Sequence, residues 1–221
     1  TYMKLFAIVL SVWMLFYPLC PIQTCSAASA TPPHVIYLTF DDGPTDSTTP
    51  KVLDILSEKK VCATFFVIGR QIKGREKIIK RIAQNGHSIG IHSYSHRYEE
   101  IYQSPSALLD DIEHCRQAIV SVLPRYHRKI YRFPGGSFLC PNLRDAVTAA
   151  GYRYYDWNAA AGDAEGNFTA QELFQNSIST SKDKEPVVLL LHDGVGYRET
   201  IKALPQIIDY FQKNGYRFKT L

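Results

Sequence analysis

Short apolar runs recur along this chain, and each is followed by a longer stretch in which apolar residues return every three or four positions. The first run, residues 35–40, is β-branched and aromatic and reads as a buried strand. Residues 50–60 follow as a helix with Val52, Ile55 and Leu56 on one face. Runs at 62–68, 88–91, 129–133, 152–157, 186–191 and 216–219 are predicted as further strands. Helices are predicted over 76–85 (Ile78, Ile79 and Ile82 inward), 105–123, 141–150, 169–180 and 199–214. The punctuation agrees. Gly86, Gly151 and Gly215 stop helices, Ser104-Pro105 opens one, Thr169 and Glu172 form a capping box, and Pro205 is placed to kink the last.

Seven strands alternating with helices through short connections argue a parallel sheet with crossover helices, open or closed into a barrel. In either form ligands gather at the C-terminal ends of the strands. The chemically active residues fall at those ends. Asp41 and Asp42 follow the first strand, His92 the third, Arg132 lies at the end of the fourth, Asp163 beyond the fifth, and His192 ends the sixth.

Residues 1–30 break the pattern. Lys4 precedes an apolar, uncharged run over 5–19, and Ala28-Ser29-Ala30 supplies an A-x-A site. That is the layout of a secretory signal. The run is shorter than the ~20 residues of a membrane helix, and an uncleaved anchor is the alternative. The expected organisation is a signal peptide or membrane anchor over 1–30, a linker over 31–34 and a catalytic domain over 35–221, secreted or held at the cell surface. The 221 residues carry a scattered net charge of +4, too mild for a nucleic-acid partner. A monomer is expected. Of five cysteines, Cys20 and Cys25 fall in the leader, and Cys62, Cys115 and Cys140 include no close pair. Neither a disulfide framework nor a cysteine zinc site is indicated.

Adjacent carboxylates repel, so Asp41-Asp42 needs a local reason. A divalent cation that binds one and leaves the other free as a base is one; a solvated Asp-Gly-Pro turn is the other. His92 and His96, four residues apart, add two imidazoles, and two histidines with one carboxylate make a catalytic zinc set that keeps positions open for water. Other first-row ions suit the same donors. Alone, the pair also fits two exposed loop histidines. Arg132 can orient a carboxylate, and the Gly135-Gly136 turn leaves backbone N–H groups free to face an oxyanion.

Thr39-Phe40-Asp41-Asp42-Gly43-Pro44, His92-Ser93-x-x-His96, Arg132-Phe133-Pro134-Gly135-Gly136 and Leu190-x-His192, in this order, resemble the polysaccharide deacetylase family, carbohydrate esterase family 4 with the NodB homology domain. The resemblance covers residues 34–221. It implies a distorted (β/α) barrel of about seven parallel strands with outer helices. It also implies metal-dependent removal of N-acetyl, sometimes O-acetyl, groups from polysaccharides. On it, Asp42, His92 and His96 are metal ligands for one divalent ion, with zinc expected and cobalt or another first-row ion as alternatives. Asp41 is the base held by Arg132, and His192 the acid. Gly135 is the oxyanion donor, and Leu190 lines the acetyl pocket. The secretory leader points to peptidoglycan as the polymer; a chitin-like oligomer or acetylated xylan is the alternative, as is a silent carbohydrate-binding domain. The sequence departs from the family at two points. A glycine stands at 135 where the family often has an aromatic residue, and Ala164 stands where a tryptophan is usual. The second puts the sugar-stacking wall in doubt. It also leaves two candidates, Asp163 and Asp156, for the partner of His192, with Asp163 preferred.

Overall fold

The computed structural model describes residues 34–221; the leader and most of the linker lie outside the described residues. The first apolar run becomes strand β1 (Val35–Asp41), and it is the middle of the sheet. Along one edge it pairs with β7 (Val187–His192). Along the other it pairs first with β8 (Arg217–Phe218) and then, from Thr39 onward, with β2 (Thr64–Ile68). A strand with neighbours on both edges and helices over it has no wet face. This is why Ile36, Leu38 and Phe40 are fully buried, and Thr39, also buried, spends its hydroxyl on the Leu189 carbonyl at 2.8 Å.

The remaining strands are β3 (Ser88–Ser93), β4 (Ile130–Tyr131), β5 (Arg153–Tyr154) and β6 (Ala159–Ala160). All pairings are parallel, in the order β5-β4-β3-β2-β1-β7-β6. The crossover helices are α1 (Thr49–Lys59), α2 (Glu76–Gln84), α4 (Pro105–Val122), α5 (Arg144–Ala149), α6 (Ala170–Ser181) and α7 (Arg198–Lys213); α3 (Tyr98–Ile101) is a single turn. The apolar helix faces named above pack into one core with the strands: Val52, Leu56, Ile79, Ile82, Leu108, Ile112, Ile119, Ile207 and Phe211 are all buried in it.

The result is the expected barrel, curled but open. The edges β5 and β6 are joined by residues 155–158 and share no ladder. The predicted strand 152–157 therefore contracts to Arg153–Tyr154, because the chain must leave β4 to reach the β7 side. Strand β6 was not predicted. Ala159 and Ala160 carry no β preference; their strand comes from pairing with Leu189 and Leu190. Strand β4 is likewise shorter than the predicted 129–133, and α5 is preceded by a 3₁₀ turn, Pro141–Leu143.

Two details of register position the site. Asp41 stands level with His192 on β7. Between β2 and β3, Val67 pairs with Ile91 but the next residue, Ile68, pairs with Ser93. His92 is thus the extra residue of a β-bulge, a device that re-aims a side chain at a strand end.

Candidate active site

At the C-terminal ends of the strands lies a cavity of about 260 Å³ whose walls include Asp41, Asp42, His92, His96, Gly135, Asp163, Leu190 and His192. Of the site candidates singled out above, all line it except Arg132, which lies beneath and holds Asp41, and Asp156, the alternative partner of His192. A larger cavity, about 540 Å³, opens at the opposite end of β3 against His87 and Tyr126 and contains none of these groups.

Neighbours on a strand point to opposite faces. Asp41 and Asp42 escape that rule because β1 ends between them: Asp42 has φ +75°, a left-handed conformation that Asp tolerates better than most residues. His96 is also left-handed, with φ +56°. Such backbone costs about 1–3 kcal/mol per residue and collects at functional sites. Gly43 completes the turn because any side chain there would collide with the buried Asp193 carboxyl, which Thr49 holds at 2.5 Å.

One donor atom each from Asp42, His92 and His96 lies within 4.8 Å of the others. Asp42 Oδ1 is 3.5 Å from His92 Nε2 and 3.3 Å from His96 Nε2, yet it is buried and accepts no hydrogen bond. The tautomer explains this for His92. Its Nδ1 lies 2.9 Å from the Arg132 carbonyl, which can only accept, so Nδ1 carries the proton and Nε2 presents a lone pair. Burial lowers the His92 pKa to about 3, against the pull of Asp42, and keeps the ring neutral. A lone pair facing an unpartnered carboxylate oxygen is repulsive unless a cation lies between them. The donor set fits a divalent metal ion.

Asp41 is held differently. Arg132 Nη1 donates to its Oδ1 at 2.9 Å and to Thr39 Oγ1 at 2.8 Å, both side chains being buried. Burial pushes the Asp41 carboxyl up, and Arg132 and His192 pull it down. Its other oxygen stands 3.9 Å from His92 Nε2, at the rim of the donor cluster but outside it.

Across the cavity, His192 Nδ1 meets Asp163 Oδ1 at 2.8 Å. The other Asp163 oxygen accepts from the His192 backbone N–H at 2.9 Å and from Thr200 Oγ1 at 2.8 Å. The carboxylate is therefore saturated by donors. Burial alone would lower the His192 pKa, but the hydrogen bond and charge of Asp163, with Asp41 and Asp42, raise it to about 9. The Tyr197 ring stacks on the imidazole, with centroids 5.1 Å apart. Asp156, the other candidate partner, is not near His192. It binds Ser137, accepting from its N–H at 2.9 Å and its Oγ at 2.5 Å, and so braces the turn that carries Gly135. Gly135 has φ +72° and lines the cavity.

Several contributors were missed in the sequence. Asp111 on α4 is buried and reaches the loop between His92 and His96, accepting from Ser93 Oγ at 2.6 Å, Tyr94 N–H at 2.8 Å and Ser95 N–H at 2.9 Å. Its only sequence signal is a charge among the inward positions of an otherwise regular helix. Thr200, Tyr197 and Tyr98 carried no signal at all.

The sequence model described as polysaccharide deacetylase matches residues 28–155. A peptidoglycan-N-acetylglucosamine deacetylase of Bacillus cereus is 31% identical over 189 residues, covering 85% of this chain and 86% of that protein. The Bacillus subtilis protein YheN is 30% identical over 84% of this chain, which spans 66% of its length. Among solved structures, the catalytic domain of a peptidoglycan N-acetylglucosamine deacetylase from Eubacterium rectale superposes with a TM-score of 0.79 at 37% identity, covering 86% of this chain and 89% of that one.

Proposed function

The chain belongs to the polysaccharide deacetylase family, and from that premise we propose that it is a metal-dependent hydrolase that removes N-acetyl groups from an N-acetylglucosamine polymer, cell-wall peptidoglycan first. The observation that supports this best is the convergence on one cavity of three separate devices: the repulsive Asp42–His92–His96 cluster, the Arg132-held Asp41, and the charged His192–Asp163 pair. Asp42, His92 and His96 would hold one divalent ion, with zinc the expected metal. When bound, such an ion supplies positive charge that brings the pKa of a water from about 15.7 to about 7.

The protein's own groups do the rest. Asp41, ionised and fixed by Arg132, takes a proton from the water that attacks the acetyl carbonyl. The Gly135 N–H donates to the oxygen on which negative charge develops, and such a donor contributes about 10²–10³ in rate. Leu190 packs against the acetyl methyl. His192, protonated because Asp163 faces it, gives its proton to the leaving amine. Acetate and a free amino sugar result. The leader-like residues 1–30 are the basis for proposing a secreted or surface-held enzyme, where this polymer lies.

The test is acetate release by metal-stripped and zinc-reloaded protein on peptidoglycan, chitin oligomers and acetylated xylan. Reloading restores turnover, and peptidoglycan is the best substrate. Asp42→Ala and His96→Ala lose both metal and activity, whereas Asp41→Asn keeps its metal and loses at least about 10²-fold in turnover. Full turnover by Asp41→Asn would remove the base assignment, and no acetate from any substrate would remove the reading itself.

A further inference from the structure

Large apolar side chains left in solvent are informative when they gather at one place. Among the described residues the exposed ones are Tyr94, Tyr98, Phe138, Leu139 and Val195. Three of these stand around the cavity. Tyr98 lines it beside Gly135 and Trp157. A Cβ on Gly135 would lie 2.5 Å from Leu139 Cδ1 and 3.2 Å from the Tyr98 hydroxyl oxygen, so these side chains fill the space a larger residue at 135 would need. The Phe138 ring stands edge-on to Trp157, with centroids 6.0 Å apart and planes at 75°.

Phe138 is 60% exposed, but its turn is not loose. Ser137 donates to both oxygens of Asp156, and Arg144 Nε donates to the Ser137 carbonyl at 2.9 Å. A side chain at Gly136 (φ +94°) would overlap the Phe138 ring. The backbone is thus fastened on two sides while the aromatic ring is held in solvent, where it loses the burial that would normally repay its ordering. At Ala164, which also lines the cavity, there is no large side chain for a sugar to rest on.

A pyranose offers an apolar C–H face that packs on an aromatic ring. We infer that Phe138 with Trp157 forms a stacking subsite for the sugar next to the one being deacetylated, and that Tyr98 walls the cavity above Gly135. Filling this subsite takes a second linked pyranose, so Phe138 acts on oligomer binding and not on a free monosaccharide. This rests on the deacetylase reading of the same site. The aromatic surface absent at Ala164 comes instead from the turn after Gly135-Gly136.

Two measurements separate the inference from its premise. Acetate release by zinc-loaded protein is followed on β-1,4-linked N-acetylglucosamine oligomers of increasing length. Binding of the longest oligomer is titrated in the Asp41→Asn background, where the oligomer stays intact. KM falls with length. Phe138→Ala raises KM for the longest oligomer, and its Kd, by about five- to tenfold with a much smaller change in kcat. Phe138→Tyr, which keeps the ring, restores both. If neither the oligomers nor peptidoglycan yields acetate yet Phe138→Ala still weakens oligomer binding, the subsite stands and the deacetylase reading falls. If Phe138→Ala leaves Kd unchanged, or KM is independent of length, the subsite is overturned.

Discussion

His192 occupies a place that would ordinarily strip its charge, since burial disfavours an imidazolium. It stays protonated because Asp163, itself saturated by Thr200 and the His192 N–H, faces its Nδ1, with Asp41, Asp42 and the Tyr197 ring around it. In the proposed role of general acid it works in its protonated form, so activity should be present below the pKa of about 9 and lost as pH rises through it. Asp163→Asn keeps a hydrogen-bond acceptor and removes the charge. The alkaline limb of kcat/KM then moves down by about one to two pH units relative to the zinc-loaded wild type. A pH–rate profile of the two proteins, each metal-loaded, measures this. An unmoved alkaline limb would assign the acid elsewhere. The same pair is linked to folding. A folded pKa raised above 6.5 stabilises the protein fully below that value, and the contribution fades as pH rises to about 9.

At the scale of elements, the loop that carries the proposed metal ligands His92 and His96 is assembled by two strands and one helix. The bulge in β3 turns His92 inward, the left-handed His96 closes the loop, and Asp111 of α4 grips the segment between them with three hydrogen bonds. Asp111→Ala leaves those donors without an acceptor. Loss of such a supporting partner typically costs about 10–100-fold in metal affinity, so zinc titration should show a fall of that size while circular dichroism keeps the α/β signature. Unchanged affinity would mean the loop is held by its backbone alone. Asp111 also shows where sequence reasoning stops. The long strands β1, β2 and β7 were legible as continuous apolar runs, and helices α1, α2, α4, α6 and α7 because their burial is periodic. The donors Asp42, His92 and His96 were legible because they cluster at predicted strand ends. Asp111 was not, since its role depends on which loop a helix passes, and no local pattern carries that. Strand β6 failed for the same reason: Ala159 and Ala160 take their state from β7. Asp156 and Asp163 remained alternatives in sequence because each is a carboxylate just past a strand. Only the path across the barrel opening sends one to Ser137 and the other to His192.

For the molecule as a whole, that opening is the structural problem, and Arg132 fastens the segment that crosses it to the sheet. The guanidinium, fully buried, leaves β4, bonds β1 through Thr39 and Asp41, and donates to the carbonyls of Tyr155 at 2.9 Å and Asp156 at 3.3 Å, in the segment where the barrel fails to close. Its Cζ also lies 4.2 Å from the centroid of the Phe66 ring. One side chain therefore holds the proposed base and ties β1 to the segment that crosses the gap, which couples the site's geometry to the stability of the fold. A buried ion pair is weak evidence of net stabilisation, but removing one partner strands the other charge at a cost of about 3–5 kcal/mol. Arg132→Met should lower Tm by on the order of 10 °C in a protein of this size. Asp41→Asn should cost less, because the guanidinium keeps Thr39 and the two carbonyls as acceptors. The double variant, with neither charge left, should be more stable than the sum of the single losses predicts. Thermal denaturation of the four proteins closes that cycle. Strict additivity would show that Arg132 acts on the barrel through the carbonyls alone, and that holding Asp41 ionised is a separate matter from holding the sheet together.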